Sequence, residues 1–257
     1  MFLINMKRGE LKKLIIALMM LMALVHGPML YADRTNVFSF DYFSQADGLP
    51  NNQIQCIYQD REGWIWLGTS QGLSRFDGYR FVNFINSRDD TTSLSGNIVR
   101  VIFEDKKGDL YVGTENGGLN KFDREKERFS HPFKSNPEFR SKELSVNAIT
   151  EDENGNIFIG TDRNLLRIDP AGHLTRINPS GTAVAGFTGS FIRTIHFDNN
   201  GLLWVGTTNG LFYYSPGNNS ISEILLPLGQ NQSKEVFDIL RDDDGKLWVA
   251  TYSGGIM

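Results

Sequence analysis

One position recurs near the start of five apolar segments, and its side chains are the first candidates for chemistry. It is occupied by Gln55, Arg100, Asn147, Arg193 and Phe237. Amide and guanidinium groups donate several hydrogen bonds each, which suits the hydroxyl, uronate or sulfate groups of a sugar. The alternative is that these groups only satisfy nearby backbone atoms or water. The four polar members are therefore predicted ligand-binding residues.

Polar residues in the loops around these segments extend the candidate site. If the apolar segments are first strands that start at one end of the fold, the loops that enter them and the loops that join the second and third strands both lie at that same end. These loops supply Asn52, Asn97, Asn116, Arg163 and Asn209. With the four residues above, they make nine predicted ligand-binding residues and no predicted catalytic residue.

Other chemistries lack the residues that they need. The single cysteine, Cys56, excludes an intrachain disulfide and a CxxC zinc or redox site. The acidic run 242–244 mimics a calcium loop but lacks its alternating ligands and its distal glutamate. His131, His173 and His196 occupy unrelated positions in the repeats, so no Ser-His-Asp arrangement can be argued. The sequence predicts no metal site and no cofactor.

The elements that position these residues are repeats of about 45 residues. Each repeat contains an Asp-x-x-Gly turn, then an aromatic residue, a small residue and a threonine. The turn glycines are Gly63, Gly108, Gly155, Gly201 and Gly245. The segments that align between repeats are 59–69, 104–114, 151–161, 197–207 and 241–251.

The repeats have the composition of short antiparallel strands. Apolar residues alternate with a period of two, and turn residues interrupt them every 8 to 12 residues, so a helical repeat is excluded. Four strands in about 45 residues make one blade of a β-propeller. The sequence therefore predicts an all-β chain, a β-propeller of four-stranded antiparallel blades with about five repeats in 33–257.

The aromatic residue of each repeat has a structural interpretation. Trp66, Tyr111, Phe158, Trp204 and Trp248 lie three residues after the turn glycine. A large ring there can pack against the neighbouring blade, and burial of each is worth roughly 2–3 kcal/mol. The glycine that follows two residues later lets the blades approach closely, although Ala250 replaces it in the fifth repeat. We predict core packing for these rings and not ligand stacking.

The amino terminus has the pattern of an export signal. Basic residues precede the apolar run 14–25, which is too short to span a bilayer, and His26-Gly27-Pro28 follows it. Residues 1–32 are therefore predicted to be a signal peptide, with an uncleaved membrane anchor as the alternative. The remaining chain has no predicted membrane span. The net charge of −4 argues against nucleic acid as a partner.

Residues 46–81, ADGLPNNQIQCIYQDREGWIWLGTSQGLSRFDGYRF, resemble the two-component regulator propeller repeat. Proteins of that family carry paired seven-bladed propellers in the periplasm, followed by a sandwich domain, a membrane helix and a histidine kinase. They sense glycan fragments and activate polysaccharide-utilisation genes. The resemblance therefore implies a periplasmic sensor that binds an oligosaccharide and is not itself an enzyme. It covers about 40–257, but 162–165 depart from the repeat pattern.

The chain lacks the kinase and the membrane helix of that family, so we expect a truncated sensor that is part of a seven-bladed propeller. The alternative is a short protein completed by a partner, either the remaining blades or another sensor protomer. A propeller enzyme that acts on glycans is the second function class, and a quinoprotein-like propeller is a variant of it. The stretch 124–129 lacks the docking element of quinoprotein blades. A scaffold without a ligand is the third class.

Overall fold

The computed structural model describes residues 40–134, 136–139, 144–181, 184–229 and 231–257. The predicted signal peptide lies outside these residues. The chain divides into the units 1–42 and 43–257, and every strand of the described residues belongs to the second. Among the described residues, no helix is long and apolar enough to cross a bilayer.

The described residues contain nineteen strands, which form five antiparallel sheets, and the order of the strands in each sheet follows the sequence. The first blade comprises β1 (Ile54–Gln59), β2 (Ile65–Thr69), β3 (Gly72–Phe76) and β4 (Phe81–Phe84). The second comprises β5 (Val99–Glu104), β6 (Leu110–Thr114), β7 (Gly118–Asp123) and β8 (Arg128–Ser130). The third comprises β9 (Val146–Glu151), β10 (Ile157–Thr161), β11 (Leu165–Ile168) and β12 (Leu174–Arg176). The fourth comprises β13 (Ile192–Phe197), β14 (Leu203–Thr207), β15 (Gly210–Ser215) and β16 (Ser220–Ile224).

The fifth blade has three strands among the described residues, β17 (Val236–Arg241), β18 (Leu247–Thr251) and β19 (Gly255–Ile256). In the part of the chain that the structure describes, helical structure is limited to α1 (Val184–Phe187) and 3-10 turns at Gln45–Asp47 and Pro137–Phe139. The first strands of consecutive blades contact each other and so lie nearest the common axis. The predicted all-β propeller with five blades is confirmed.

The core consists of layers between consecutive blades. Each of the four hydrophobic clusters draws its residues from two neighbouring blades. A Cβ on Gly113 would lie 2.6 Å from both Val101 Cγ1 and Val146 Cγ1, so this glycine lets β6 approach the next blade. A Cβ on Gly68, Gly160 or Gly206 would meet the next blade in the same way.

In the three repeats whose aromatic residue is tryptophan, the turn aspartate hydrogen-bonds to the ring, a relation that the sequence analysis did not foresee. Asp60 Oδ1 accepts from the backbone N–H groups of Glu62 and Trp64, at 3.1 and 2.9 Å. Its Oδ2 accepts from the indole N–H of Trp66 at 2.8 Å. The same indole bond recurs in the fourth and fifth blades, from Trp204 to Asp198 and from Trp248 to Asp242. One carboxylate therefore closes the turn and orients the ring.

The predicted burial of the aromatic rings holds in part. Trp66, Tyr111 and Phe158 are buried in the layers between blades. Trp204 is partly buried, whereas Trp248 keeps 45% of its surface exposed. The difference arises because Trp66 packs against Phe84 and against Phe122 of the next blade, while no described blade follows Trp248.

An ionic network joins the first two blades at the end that carries the Asp-x-x-Gly turns. Arg124 places one guanidinium nitrogen 2.8 Å from Asp60 Oδ2 and another 2.8 Å from Glu104 Oε1. Arg61 also lies 3.0 Å from Glu104 Oε1. Burial alone would raise the pKa of Asp60, but hydrogen bonds from Trp66, Arg124 and the Trp64 N–H outweigh it and hold this pKa below its ordinary value.

This lowered pKa predicts a loss of stability in acid. Stabilisation from Asp60 is fully present above its unfolded pKa of about 3.9 and is lost as the pH falls through the lower folded value. We expect Asp60→Asn to reduce the free energy of unfolding by about 1.5–3 kcal/mol at neutral pH. In urea titrations the difference from wild type should shrink at low pH. Asp244→Asn, on an exposed carboxyl of the fifth turn, is the control and should have little effect at either pH. If Asp60→Asn lowered the free energy of unfolding equally at neutral and at low pH, the lowered pKa of Asp60 would be contradicted.

Candidate functional site

The end of the propeller opposite the Asp-x-x-Gly turns carries a repeated irregularity in the first strands. In each blade the pairing of the first and second strands shifts by one residue near the start of the first strand. The extra residue is a β-bulge, occupied in chain order by Gln55, Arg100, Asn147, Arg193 and Phe237. The bulged residue does not pair with the neighbouring strand, and its side chain points in a different direction from that of a regular strand residue. Bulges are frequent beside active sites.

These bulged residues and their neighbours form a rim around the axis, which we call the axial rim. It comprises the five bulged residues and the residue after each second-strand threonine, namely Ser70, Glu115, Asp162, Thr208 and Tyr252. The threonine that ends each second strand stabilises the turn between the second and third strands. Thr69 Oγ1 donates to the Gly72 carbonyl at 2.8 Å and accepts from the Gln71 N–H at 3.0 Å.

Three blades join the two rim positions directly. Gln55 Nε2 donates to Ser70 Oγ at 3.0 Å. Arg100 forms an ion pair with Glu115. In the fifth blade the rings of Phe237 and Tyr252 stack, with centroids 5.9 Å apart and an interplanar angle of 23°. The rim therefore presents a different chemistry on each blade.

The other two bulged residues bind across to the next blade. Asn147 Nδ2 donates to the Ile192 carbonyl at 3.0 Å, whereas Asn147 Oδ1 is buried without a hydrogen-bond partner in the described chain. Arg193 Nε donates to Glu235 Oε1 at 2.8 Å. Both arginines of the rim are thus paired with carboxylates, and the rim offers polar groups without an uncompensated cation among its described residues.

The other five predicted binding residues divide into two kinds. Three asparagines organise loops through their side chains. Asn52 Oδ1 accepts from the Gln45 N–H at 2.8 Å, and Asn97 Oδ1 accepts from the Asn86 N–H at 2.7 Å. Asn209 Nδ2 donates to Ser190 Oγ at 2.8 Å. These side chains are occupied in holding the loops that surround the rim.

Arg163 and Asn116 are the more available pair. The side chain of Arg163 is largely exposed and lies 3.9 Å from Asp162 Oδ2. Asn116 has a φ of 58° at the turn between β6 and β7, where its backbone N–H donates to Ser145 Oγ at 3.2 Å. The structure therefore places all nine predicted residues at one end of the propeller. The four bulged ones lie on the first strands, and the other five lie in the adjoining loops.

A cavity of about 560 Å³ lies at the same end, away from the rim positions. Its walls come from the loops that enter β5 and β9 and from the turn between β6 and β7. Asn86, Arg88, Asn116, Phe133 and Lys134 are among the lining residues. Sequence reasoning found only Asn116 here, because these loops have no counterpart in the repeat pattern.

Sequence reasoning also missed the aromatic pair of the fifth blade. Phe237 occupies the recurring position but was excluded as a candidate because it is not polar. Tyr252 follows Thr251 as Glu115 follows Thr114, and this spacing is the signal that could have identified it. Among the described residues, no group of three or more His, Cys, Asp or Glu side chains is arranged to hold a metal ion.

Comparison with known proteins identifies the repeat. The family model described as two component regulator propeller matches residues 48–71, 93–116, 141–163, 186–209 and 231–253. Each matched segment includes the bulged residue, the Asp-x-x-Gly turn and the second-strand threonine. A segment of 66 residues, 26% of the chain, is 41% identical to histidine kinase P4 of Formosa agariphila and covers 5% of that protein.

Two solved structures illustrate the range of similar folds. The extracellular domain of BT4673 from B. thetaiotaomicron, proposed to be a one component or hybrid two component system, matches 79% of the chain at 25% identity with a TM-score of 0.65. The chain covers 26% of that domain. Virginiamycin B lyase from Staphylococcus aureus matches 78% of the chain and 67% of its own length at 18% identity, with a TM-score of 0.57, and shows the fold alone.

The five matched repeats, the radial blades and the similarity to a sensor's extracellular domain agree with one another. The chain spans about a quarter of the BT4673 domain and a small part of the histidine kinase. The chain belongs to the two-component regulator propeller family.

Proposed function

We propose that this chain is the ligand-recognising propeller of an exported sensor, and that it binds an oligosaccharide at the axial rim without catalysing a reaction. The observation that carries the proposal is the β-bulge at the same position of all five first strands. Each bulge takes one side chain out of the ladder, so a blade can hold its sheet together and still present a recognition group.

The chemistry of the rim supports a polyhydroxylated ligand. Amide, hydroxyl, carboxylate and guanidinium groups lie side by side there, and together they supply donors and acceptors for hydroxyl groups. The aromatic pair of the fifth blade adds an apolar surface. Ligand binding would reach polysaccharide-utilisation genes through the kinase of a two-component system, in keeping with the sensor domains that the chain resembles.

Export is the second part of the proposal. Residues 1–32 have the basic start and short apolar run of a signal peptide. The similar domain of BT4673 is extracellular. We place the mature chain in the periplasm, where glycan fragments that cross the outer membrane would reach it.

Calorimetry with a panel of neutral and acidic oligosaccharides tests the proposal. The chain should bind at least one oligosaccharide, and Arg100→Ala and Gln55→Ala should each weaken that binding by about tenfold. Arg80→Ala is the control, because Arg80 lies in the turn between β3 and β4 at the opposite end and should leave affinity unchanged.

Chromatography of the same mixtures separates a sensor from an enzyme. We expect the oligosaccharide to be recovered intact after prolonged incubation. Shortened or unsaturated products would indicate a glycan-acting propeller enzyme and contradict the proposal. Failure of the chain to bind any member of the panel would contradict it as well.

A further inference from the structure

The fifth blade departs from the others at both of its rim positions. The first two blades place polar side chains there, an amide with a hydroxyl and a guanidinium with a carboxylate. The fifth blade places Phe237 and Tyr252 there instead, and 44% and 68% of their surfaces are exposed. Neither ring belongs to a core cluster of buried residues.

A backbone hydrogen bond and a guanidinium contact hold the two rings in place. The Tyr252 N–H donates to the Glu235 carbonyl at 3.0 Å, which fixes the backbone that carries the ring. The guanidinium carbon of Arg193 lies 4.5 Å from the centroid of Phe237, and Glu235 holds that guanidinium. The rings therefore form an ordered platform and not two independent surface side chains.

A platform of this kind suits a ligand with a flat apolar face and polar edges. The faces of aromatic rings carry partial negative charge and attract the weakly positive C–H groups of an apolar surface. A pyranose ring has such a face, while its hydroxyl groups project outward toward hydrogen-bonding partners. A stiff platform also binds at a low entropic cost, because its side chains lose little freedom on binding.

The charges around the platform favour a neutral ring over an acidic one. Arg193 is the cation nearest Phe237, and it already forms an ion pair with Glu235. Glu235 thus brings a negative charge to the guanidinium that lies over Phe237, so no unpaired cation is left there to attract a uronate. A sugar without a carboxylate or sulfate therefore fits this position better.

We propose that Phe237 and Tyr252 form a stacking subsite for a neutral pyranose ring at the axial rim. This inference rests on the proposed function, because it assigns one sugar of an oligosaccharide ligand to the fifth blade. It differs from that proposal in naming the residues that make the apolar contact and in excluding an acidic sugar from it.

The test uses neutral gluco-, galacto-, manno- and xylo-oligosaccharides, together with oligogalacturonate and alginate fragments as acidic probes. The full chain should bind at least one neutral probe. Phe237→Ala and Tyr252→Ala should weaken that binding by about tenfold or more, while Tyr252→Phe, which keeps the ring, should change it by less than about threefold. Tyr79→Ala removes an aromatic ring that is 96% exposed at the opposite end, and it should have no effect.

The outcomes separate this inference from the proposed function. Binding of a neutral probe that both alanine variants retain would overturn the subsite and leave the sensor proposal standing. Binding of acidic probes alone would overturn the preference for a neutral ring in the same way. Absence of binding to every probe would overturn both proposals. Thermal unfolding of each variant should match wild type, since both rings are outside the core.

Discussion

Replacing Trp66 with alanine is expected to lower the free energy of unfolding by about 3–5 kcal/mol. Trp66 is fully buried between the first two blades, where its ring contacts Phe84 and Phe122 at centroid distances of 5.9 and 5.2 Å. The substitution removes these contacts, leaves a cavity and deprives Asp60 Oδ2 of the indole donor. Urea-induced unfolding followed by circular dichroism measures the change.

Trp248→Ala provides a matched control at the same position of the repeat. Trp248 makes the equivalent indole bond to Asp242 but remains 45% exposed. Its removal should cost about 1 kcal/mol or less, because little packing is lost. Trp66→Phe should give an intermediate loss, since it keeps most of the packing and removes only the hydrogen bond to Asp60. Similar losses for Trp66→Ala and Trp248→Ala would show that burial between blades does not set the contribution of this ring.

Replacing Gly113 with alanine is the second substitution with a large expected effect. Its new Cβ would come within 2.6 Å of side chains on β5 and β9, closer than real methyl contacts allow. Relief of this overlap requires Val101 to shift within the second blade and the third blade, which carries Val146, to move away. We expect a loss of about 1–3 kcal/mol in the free energy of unfolding, measured by the same urea titration.

Gly217→Ala is the control for the effect of alanine on the unfolded chain. No atom lies within 4 Å of the position where its Cβ would be, so the substitution meets open space. It should be neutral or slightly stabilising, because alanine restricts the unfolded state. Equal stability of the Gly113→Ala chain and wild type would mean that the blades are not in close contact at this point.

The repeat pattern was sufficient to predict the blades because it combines a strong turn signal with strict alternation. The Asp-x-x-Gly turns and the apolar strands on either side are local features, so the sequence reveals them directly. The close approach at Gly113 also followed from the recurrence of a glycine beside an aromatic residue. The bond from Trp66 to Asp60 was not predicted, since a turn aspartate and a core ring each have sufficient explanations alone.

The details of the rim could be predicted only in part. Polar interruptions of the first strands identified Gln55, Arg100, Asn147 and Arg193, but a sequence does not show that these positions are bulges. A bulge depends on how two strands are paired, and that pairing is a property of the folded sheet. The stacking of Phe237 on Tyr252 was missed because the search there was for hydrogen-bonding groups.

The bulges let a first strand pair with its neighbour and also present a side chain outside the sheet, two roles that usually compete within one strand. Residues before and after Arg193 remain paired with β14 and keep the fourth sheet intact, while Arg193 itself takes no part in that pairing. A substitution at such a position changes what the propeller presents to its surroundings at little cost to the blade. Related propellers can therefore diverge in the side chains that they present at this end one blade at a time, without compensating changes in their cores.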